Sequence, residues 1–355
     1  MTWSDGVVHL VHSGGFYGAE RMLLDHCLHV PGRHKVIFLD TSDDALPQRF
    51  LAAGVTCASL CGLKALMAEL QGCPGLINAH NFRAQVFGWI CARRLRLPLA
   101  LTQHGFTPRS AKQRLYAWIG LRLGMSRRVR RIACVSQGIA RLHARVGVST
   151  DKLEVIPNGL PQCRGAPPPR QAAAPLVGFV GRLSAEKGPD LFLDALIPLC
   201  AKYPDLQAVM LGDGPLAASL QTRVAAAGLG GRIRLPGYQR DMEAWFARLS
   251  VLALSSRTEG TPMVLLEAMR GGVPIAACAV GGVPDMIEDG ANGLLAPPGD
   301  AVLLSRQIER LLIDADFAGR LAAAGRLRQE RDYDLAKLAA RWQRFYALVR
   351  EGAPC

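Results

Sequence analysis

The sequence predicts an α/β protein made of two doubly wound, Rossmann-like domains that face each other across a cleft. Three observations predict it. Short apolar runs alternate with amphipathic stretches, a Pro- and Ala-rich segment divides the chain near its middle, and the alternation then restarts. Near-continuous apolar strands separated by helices are typical of βαβ units in a parallel sheet. A length of 355 residues is also that of about two domains.

The first domain is predicted over residues 1–163, with helices between its strands. We predict strands over residues 7–12, 35–40, 76–80, 99–104, 132–136 and 153–158. A linker follows over residues 164–175, because this segment combines Pro and Ala with no hydrophobic period.

The second domain is predicted over residues 176–332. We predict strands over residues 175–181, 206–212, 233–237, 251–256, 274–280 and 293–297. Helices are expected from Pro189, Pro215 and Pro262, over 240–249, and over 300–312, 316–328 and 333–350. Ligands of such sheets bind beyond the carboxyl ends of the strands, so the cleft is the expected site.

The composition is that of an ordinary globular protein and excludes fibrous and disulfide-scaffold classes. None of the ten cysteines forms a CxxC pair, and no histidine cluster has zinc spacing. Free thiols and a reducing compartment are therefore expected. The N-terminal stretch lacks a basic region before an apolar run, and no apolar run approaches about 20 residues. We expect neither a secretory signal nor a transmembrane helix.

Positive charge is concentrated in the first half of the chain. Residues 1–165 hold 21 Lys and Arg against 9 Asp and Glu, which is +12 of the total +13. No acidic residue lies between Glu69 and Asp151, and the basic residues are densest over 109–131. This stretch predicts an anionic partner: a membrane surface, nucleic acid or a phosphorylated acceptor. The alternative is a solvated helix whose apolar side packs on its own domain.

Two loops have the composition of phosphate-binding segments. Gly14 and Gly15 follow the first strand and precede a helix, where backbone can approach an anion closely; a plain tight turn is the alternative. Arg182 and Lys187 follow a strand of the second domain, before the helix at Pro189. Two cations at that edge can hold a diphosphate, and solvated charge is the alternative.

The segment after residue 256 adds a predicted helix N-terminus. Thr261 is expected to cap it, with Pro262 as its first residue. The amides of Met263 and Val264 then face a phosphate.

Two glutamates belong to the same segment. Glu259 precedes the helix and Glu267 lies within it, eight residues on, so they do not form one carboxylate dyad. They can accept hydrogen bonds from different hydroxyls of one ligand. Local capping or ion pairing is the alternative role for each.

Polar residues also end two strands of the first domain. His104 follows one strand and can handle a proton or donate a hydrogen bond to sugar or phosphate. His80 and Asn81 hold the corresponding place on another strand, with a weaker claim to function.

The segments GRLSAEKG (181–188), SSRTEGTPMVLLEAMRGGVPIAA (255–277) and GGVPDMIEDGANGLLAPPGD (281–300) together resemble retaining glycosyltransferases of family 4, which have the GT-B fold. The spacing of Glu259 and Glu267 resembles the paired glutamates of that family. The resemblance covers most of the chain. It implies an acceptor-binding first domain, a nucleotide-sugar-binding second domain, and a last helix, 333–355, that returns to the first.

The resemblance also implies residue roles. It assigns catalytic roles to His104, Arg182, Lys187 and Glu259. The implied donor-binding residues are Gly14, Gly15, Arg182, Lys187, Tyr238, Glu259, Gly260, Thr261, Pro262, Met263, Val264 and Glu267. The acceptor side is assigned to His80, Asn81 and His104. Glu267 would hold the ribose, Tyr238 would lie near the base, and neither a metal nor a cofactor is expected.

The implied activity is retaining sugar transfer from a nucleotide sugar, with UDP as the default, to a glycan or lipid-linked acceptor. Bacterial surface polysaccharide synthesis is the expected setting, at a cytoplasmic location that includes peripheral contact with the inner membrane face through 109–131. A sugar-nucleotide epimerase of the same fold is one alternative. A basic nucleic-acid-binding protein is another, although no helix-turn-helix, RNA-recognition or KH signature is found.

Overall fold

A computed structural model describes residues 6–351, apart from 17, 42, 44, 74, 106–110 and 163–173; of residues 111–114 it describes the backbone only. The chain divides into two compact units. The first consists of Met1–Pro161 together with Leu335–Cys355, and the second is Gln162–Asp334. The predicted linker, 164–175, falls almost wholly outside the described residues.

The first unit contains a seven-stranded parallel sheet in the order β3-β2-β1-β4-β5-β6-β7. Its strands and helices are β1 (Val7–Val11), α1 (Gly18–His29), β2 (His34–Leu39), α2 (Ala45–Ala52), β3 (Thr56–Leu60), α3 (Gly62–Leu70), β4 (Leu76–Ala79), α4 (Phe82–Leu95), β5 (Leu99–Gln103), α5 (Ala111–Met125), β6 (Val129–Cys134), α6 (Gln137–Arg145) and β7 (Leu153–Val155). The direction of winding reverses between β1 and β4, which is the position where doubly wound sheets bind ligands.

The second unit contains a six-stranded parallel sheet in the order β10-β9-β8-β11-β12-β13. Its elements are β8 (Leu176–Val180), α7 (Pro189–Lys202), β9 (Gln207–Leu211), α8 (Ala217–Ala226), β10 (Ile233–Gly237), α9 (Met242–Arg248), β11 (Val251–Leu254), α10 (Met263–Arg270), β12 (Ile275–Cys278), α11 (Val283–Met286), β13 (Leu294–Ala296), α12 (Ala301–Ile313) and α13 (Ala315–Asp332). Winding reverses between β8 and β11.

The last helix, α14 (Leu335–Glu351), packs on the sheet of the first unit. Its buried face carries Trp342, Phe345, Tyr346 and Val349, in one apolar cluster with residues of β1, β4, β5 and β6. Burying each such side chain is worth about 1.5–3 kcal/mol, so this face alone holds the helix to the sheet.

Three local predictions are wrong. The helix predicted from Pro215 begins at Ala217, with Leu216 at the N-cap position. β3 is not among the predicted strands, because its sequence TCASL has little apolar content. The strand lies at the edge of the sheet and is only half-buried, so it requires few apolar side chains. The helix predicted from Pro262 begins at Met263. Pro262 itself occupies the N-cap position in an extended conformation, so Thr261 is not the cap.

The cysteines of the described residues are free thiols, four of them buried. Burial raises the pKa of Cys134 to about 12 and that of Cys91 to about 11, so both stay protonated at neutral pH. Among the described helices, none is long and apolar enough to cross a membrane.

Candidate functional site

An ion pair joins the two loops at the winding reversal of the second sheet. Lys187 follows β8 and Glu259 follows β11. The Lys187 Nζ atom lies 2.7 Å from Oε1 and 2.9 Å from Oε2 of Glu259. The hydroxyl of Ser256 donates a further hydrogen bond to Oε1 at 2.6 Å. Adjacent parallel strands bring together side chains that are 72 residues apart in the sequence.

The two members of this pair differ in exposure. The Glu259 side chain is 5% exposed and the Lys187 side chain is 32% exposed. A buried carboxylate requires compensation, and Lys187 and Ser256 provide it. An ammonium group has three N–H donors. Lys187 can therefore keep its contact with Glu259 and still present positive charge to an anionic ligand.

Close backbone packing fixes both loops. Gly188 has φ +62°, and a Cβ there would lie 2.0 Å from the carbonyl oxygen of Ser255. Gly281 has φ +55°, and its Cβ would lie 1.8 Å from the carbonyl oxygen of Glu259. No side chain fits at either position, so both require glycine.

A second ion pair ties the same loops together further from the carboxylate. Arg257 pairs with Asp190 through two N–H···O contacts of 2.8 and 2.6 Å. The guanidinium also donates to the carbonyl of Ala185. Arg257 beside Asp190 lowers the pKa of that carboxyl group, as expected for a bidentate pair. These contacts leave the Lys187–Glu259 pair on a rigid support.

The N-terminus of α10 lies in the same loop. Leu265 N–H already donates to the Pro262 carbonyl at 3.1 Å. Among the described residues, none accepts a hydrogen bond from the amides of Met263 and Val264. Free amides at a helix N-terminus form an anion site together with the helix dipole.

The remaining predicted donor residues occupy the same edge of this unit. Arg182 is exposed in the loop after β8, and Glu267 is half-buried on α10. Tyr238 follows β10 with an exposed ring, and its amide donates to Asp213 at 3.0 Å. Gly260 and Thr261 link Glu259 to α10. The twelve donor residues predicted from the sequence thus fall in two groups, ten on this unit and two on the first.

Gly14 and Gly15 lie at the winding reversal of the first sheet. Gly14 is exposed, and a Cβ built on it would meet no atom within 4 Å. Packing of the fold therefore does not require glycine at position 14. The absence of a side chain there leaves open space that a ligand can occupy. Gly15 is buried, and its amide donates to the hydroxyl of Ser13 at 3.3 Å.

His104 and His80 form a stacked pair at the carboxyl edge of the first sheet. Nε2 of His104 lies 3.0 Å from Nδ1 of His80, with the rings 12° from parallel. Nε2 of His80 lies 2.9 Å from Nδ1 of His9. Burial lowers the pKa of His104 to about 4 and that of His80 well below its ordinary value, so both rings are neutral at pH 7.

The acceptor contacts expected of His80 and Asn81 need correction. Both ring nitrogens of His80 are already bonded within the protein. Asn81 is the N-cap of α4: its Oδ1 accepts from Ala84, and its Nδ2 donates to the carbonyl of His12 at 2.6 Å. Both residues hold the sheet edge in place, which leaves His104 as the candidate for ligand contact.

Sequence analysis missed His9 and His34, which extend the same line of bonded rings. Nε2 of His9 lies 3.0 Å from Nδ1 of His34. The only available signal was the occurrence of histidines in or next to four predicted strands: two in 7–12, His34 just before 35–40, and one at the end of each of 76–80 and 99–104. Strand register, which the sequence does not provide, is needed to see that they meet.

Of the basic stretch 109–131, the structure describes the side chains of residues 115–131, and these are divided between exposed positions and contacts within the first unit. Trp118 and Leu115 are 54% and 53% exposed on α5, and Arg122 lies over the Trp118 ring. Arg130 instead donates to the carbonyls of Val349 and Arg350 at the end of α14. This arginine therefore caps a helix and does not belong to an anion-binding face.

The chain matches two family descriptions that together span most of it. Residues 167–328 match "Glycosyl transferases group 1", and residues 16–162 match "Glycosyltransferase Family 4". The chain belongs to the family 4-type glycosyltransferases. The structure of HepE from Anabaena in complex with UDP and glucose is similar in fold, with a TM-score of 0.85 and 21% identity over 97% of this chain and 99% of that one. The fold of the glycosyltransferase is thus GT-B.

Sequence relatives of this glycosyltransferase are themselves named as sugar transferases. An alpha-D-kanosaminyltransferase of Streptomyces kanamyceticus is 34% identical over 150 residues, which is 42% of this chain and 39% of that protein. A D-inositol 3-phosphate glycosyltransferase of Streptomyces bingchenggensis is 28% identical over 87% of this chain and 75% of its own length.

Proposed function

We propose that this glycosyltransferase moves a sugar, with retention of configuration, from a UDP-sugar to a glycan or lipid-linked acceptor of a bacterial surface polysaccharide. The Lys187–Glu259 pair at the reversal between β8 and β11 carries the proposal, because it sets a cation and a hydrogen-bond acceptor side by side where this fold binds ligands. HepE, whose structure contains UDP and glucose, supports the choice of base.

The proposed chemistry is electrostatic. As the bond between the sugar and the diphosphate breaks, negative charge develops on the leaving phosphate oxygen. Lys187 and Arg182 neutralise that charge, and the amides of Met263 and Val264 add the dipole of α10. Fixed cations and dipoles do this without reorganising during the reaction. In this scheme the residues at the site supply the positive charge themselves, and we propose that no bound metal is needed.

Different residues recognise different parts of the donor. Glu259 accepts hydrogen bonds from hydroxyls of the transferred sugar, and Glu267 accepts them from the ribose. The exposed ring of Tyr238 offers an apolar face to the base. On the first unit, Gly14 leaves open space at the carboxyl edge of its own sheet. Each role uses a group that the described structure leaves at a sheet edge.

A thermal-shift panel of nucleoside diphosphates and nucleotide sugars, with and without EDTA, tests the proposal. UDP and one UDP-sugar are each expected to raise the melting temperature, because a ligand that binds only the folded state stabilises it by mass action. For each ligand the rise is expected to be the same with and without EDTA. An EDTA-sensitive shift would contradict metal independence. No shift with any nucleotide would contradict the donor site, and conversion of the UDP-sugar without acceptor would indicate an epimerase.

We further propose that α5 rests on an anionic membrane surface while a lipid-linked acceptor is used. The support is charge complementarity: Trp118 and Leu115 are exposed beside Arg122, in the stretch that contains no acidic residue. Amphipathic basic surfaces with exposed aromatic residues bind anionic lipid by burial and charge together.

Vesicle flotation tests the membrane contact. The double variant Trp118→Ser/Leu115→Ser is expected to reduce recovery with phosphatidylglycerol vesicles about tenfold, since two large apolar side chains contribute about 1.5 kcal/mol or more. Leu327→Ser is the matched control, because Leu327 is 66% exposed on α13 of the other unit. Equal recovery of the wild type with neutral and anionic vesicles would contradict the electrostatic part.

A further inference from the structure

Four histidines form an unbroken row of hydrogen bonds across the first sheet; three of them are buried and the last, His104, is partly buried. The row, which we call the histidine row, consists of His34, His9, His80 and His104. Successive rings are joined by N···N contacts of 3.0, 2.9 and 3.0 Å. At the far end, Nε2 of His34 lies 2.9 Å from the carbonyl oxygen of Val30. The row connects the interior of the unit to the carboxyl edge of the sheet.

Strand register explains why the rings meet. Neighbouring residues of a parallel sheet point to the same face, and so do residues two apart on one strand. His34 pairs with Val7, which is two residues before His9. His9 pairs with Asn78, which is two residues before His80. Each step therefore moves one strand across and two residues toward the carboxyl edge, on the face that α14 covers.

The carbonyl of Val30 fixes where every proton in the row lies. A carbonyl only accepts, so Nε2 of His34 carries a proton and its Nδ1 is a lone pair. Nε2 of His9 must then donate to that lone pair, and Nδ1 of His9 must accept from Nε2 of His80. By the same step His104 donates through Nε2. A neutral row thus has one tautomer, with Nδ1 of His104 as a lone pair.

The surroundings keep the row neutral. Burial, followed by the charges that neighbouring histidines would carry, lowers the pKa of His9 and His80 well below the ordinary value. Titratable groups on the elements packed against the row include His26 and Cys27 on α1 and Tyr346 and Arg350 on α14. Helix α1 also carries the buried carboxylates of Glu20 and Asp25, but the pKa shifts of His9, His34 and His80 arise from burial and from neighbouring cations and not from a carboxylate.

A metal ion is the other possible occupant of this cluster. His9, Cys27 and His34 have potential ligand atoms within 4.8 Å of one another. Two nitrogens on one tetrahedral zinc would be about 3.4 Å apart, given Zn–N bonds of about 2.0–2.1 Å. The facing nitrogens of His9 and His34 lie 3.0 Å apart, closer than two ligands of one zinc ion. The geometry fits a shared proton better than a metal.

We propose that the histidine row positions His104 as a hydrogen-bond acceptor, so that His104 meets a hydroxyl group of the sugar or acceptor and not a phosphate oxygen. A phosphate oxygen requires a donor, and the row already uses the only N–H of the neutral His104 ring. His80, His9 and His34 are then positioning residues that act through His104. The choice of a sugar hydroxyl rests on the proposed function; the tautomer does not.

The tautomer is measured directly by long-range ¹H–¹⁵N NMR of the full-length protein labelled at histidine, with assignment by single His→Gln variants. At pH 7 all four rings are expected to show a protonated Nε2 and an unprotonated Nδ1, with no titration between pH 8 and pH 6. A protonated Nδ1 on any of the four rings, or an imidazolium, would overturn the proposal. One equivalent of zinc bound to the purified protein would also overturn it.

Variants of His9 test whether the row matters for transfer. His9→Gln can still donate and accept, and it is expected to keep kcat/KM within about threefold. His9→Phe can do neither, so His80 and His104 are free to exchange tautomers. We expect kcat/KM to fall about 10–100-fold, while the Kd for UDP is unchanged. His143→Phe is the matched control, because His143 is another buried histidine of the same unit, on α6 and outside the row.

The outcomes separate this inference from the proposed function. If His9→Phe and His9→Gln have equal kcat/KM per folded molecule, the positioning role is wrong. If no UDP-sugar supports transfer but the NMR pattern holds, the proposed function fails and the tautomer stands. Titration with UDP-glucose tests the hydroxyl contact separately, because a hydrogen bond to the lone pair changes the Nδ1 chemical shift of His104. If UDP-glucose binds and this shift does not change, the proposed hydroxyl contact is wrong.

Discussion

Replacing Lys187 by alanine is expected to lower kcat/KM for sugar transfer about 10²–10³-fold, the loss typical when one group that stabilises developing charge is removed. The alanine removes the cation 2.7 Å from Glu259 that we assign to the diphosphate. Binding of UDP itself is also expected to weaken, because UDP retains the diphosphate. Steady-state kinetics and calorimetric titration with UDP measure the two effects.

Two controls distinguish a phosphate contact from simple support of the loop. Lys202→Ala removes a surface lysine at the opposite end of α7, where it pairs with Glu309 at 2.6 Å, and is expected to leave kinetics unchanged. Glu259→Gln retains the hydrogen bond from Ser256 and is expected to weaken UDP-sugar binding but not UDP binding. If Glu259→Gln and Lys187→Ala weaken UDP equally, Lys187 acts only by holding the glutamate.

Gly281→Ala is expected to reduce the free energy of unfolding by about 2–5 kcal/mol and to abolish donor binding. The added Cβ would lie 1.8 Å from the carbonyl oxygen of Glu259, which is backbone and cannot rotate away. Overpacking of this kind costs about 1–3 kcal/mol, and the left-handed conformation adds about 1–2 kcal/mol. Urea denaturation measures the first effect, and UDP titration of the folded fraction measures the second.

Gly290→Ala provides the matched comparison. Gly290 lies in the same unit with φ +74°, but a Cβ there would meet no atom within 4 Å. The free energy of unfolding of Gly290→Ala is expected to fall only by the cost of the left-handed conformation, about 1–2 kcal/mol, and UDP binding is expected to be unchanged. Equal losses of stability in the two variants would show that the Glu259 loop yields to the extra atom, and that the rigid support inferred for it is wrong.

The sequence by itself determined the fold class and the location of the donor loops. Near-continuous apolar strands and helices predict parallel sheets, and short loops after strands place Lys187 and Glu259 at one edge of a sheet. Motif spacing added the family. These features are local, or depend on strand order alone, so they can be read along the chain. β3 was missed because an exposed edge strand carries little apolar signal.

Only the tertiary structure decided which side chains bond to one another. The start of α10 depends on the conformation of Pro262, and Arg130 caps a helix more than 200 residues away. The histidine row depends on strand register: shifting one strand by a single residue would turn its histidine to the other face. Register is set by packing of the sheet between helices on its two faces, among them α4 on one and α14 on the other, which no local pattern encodes.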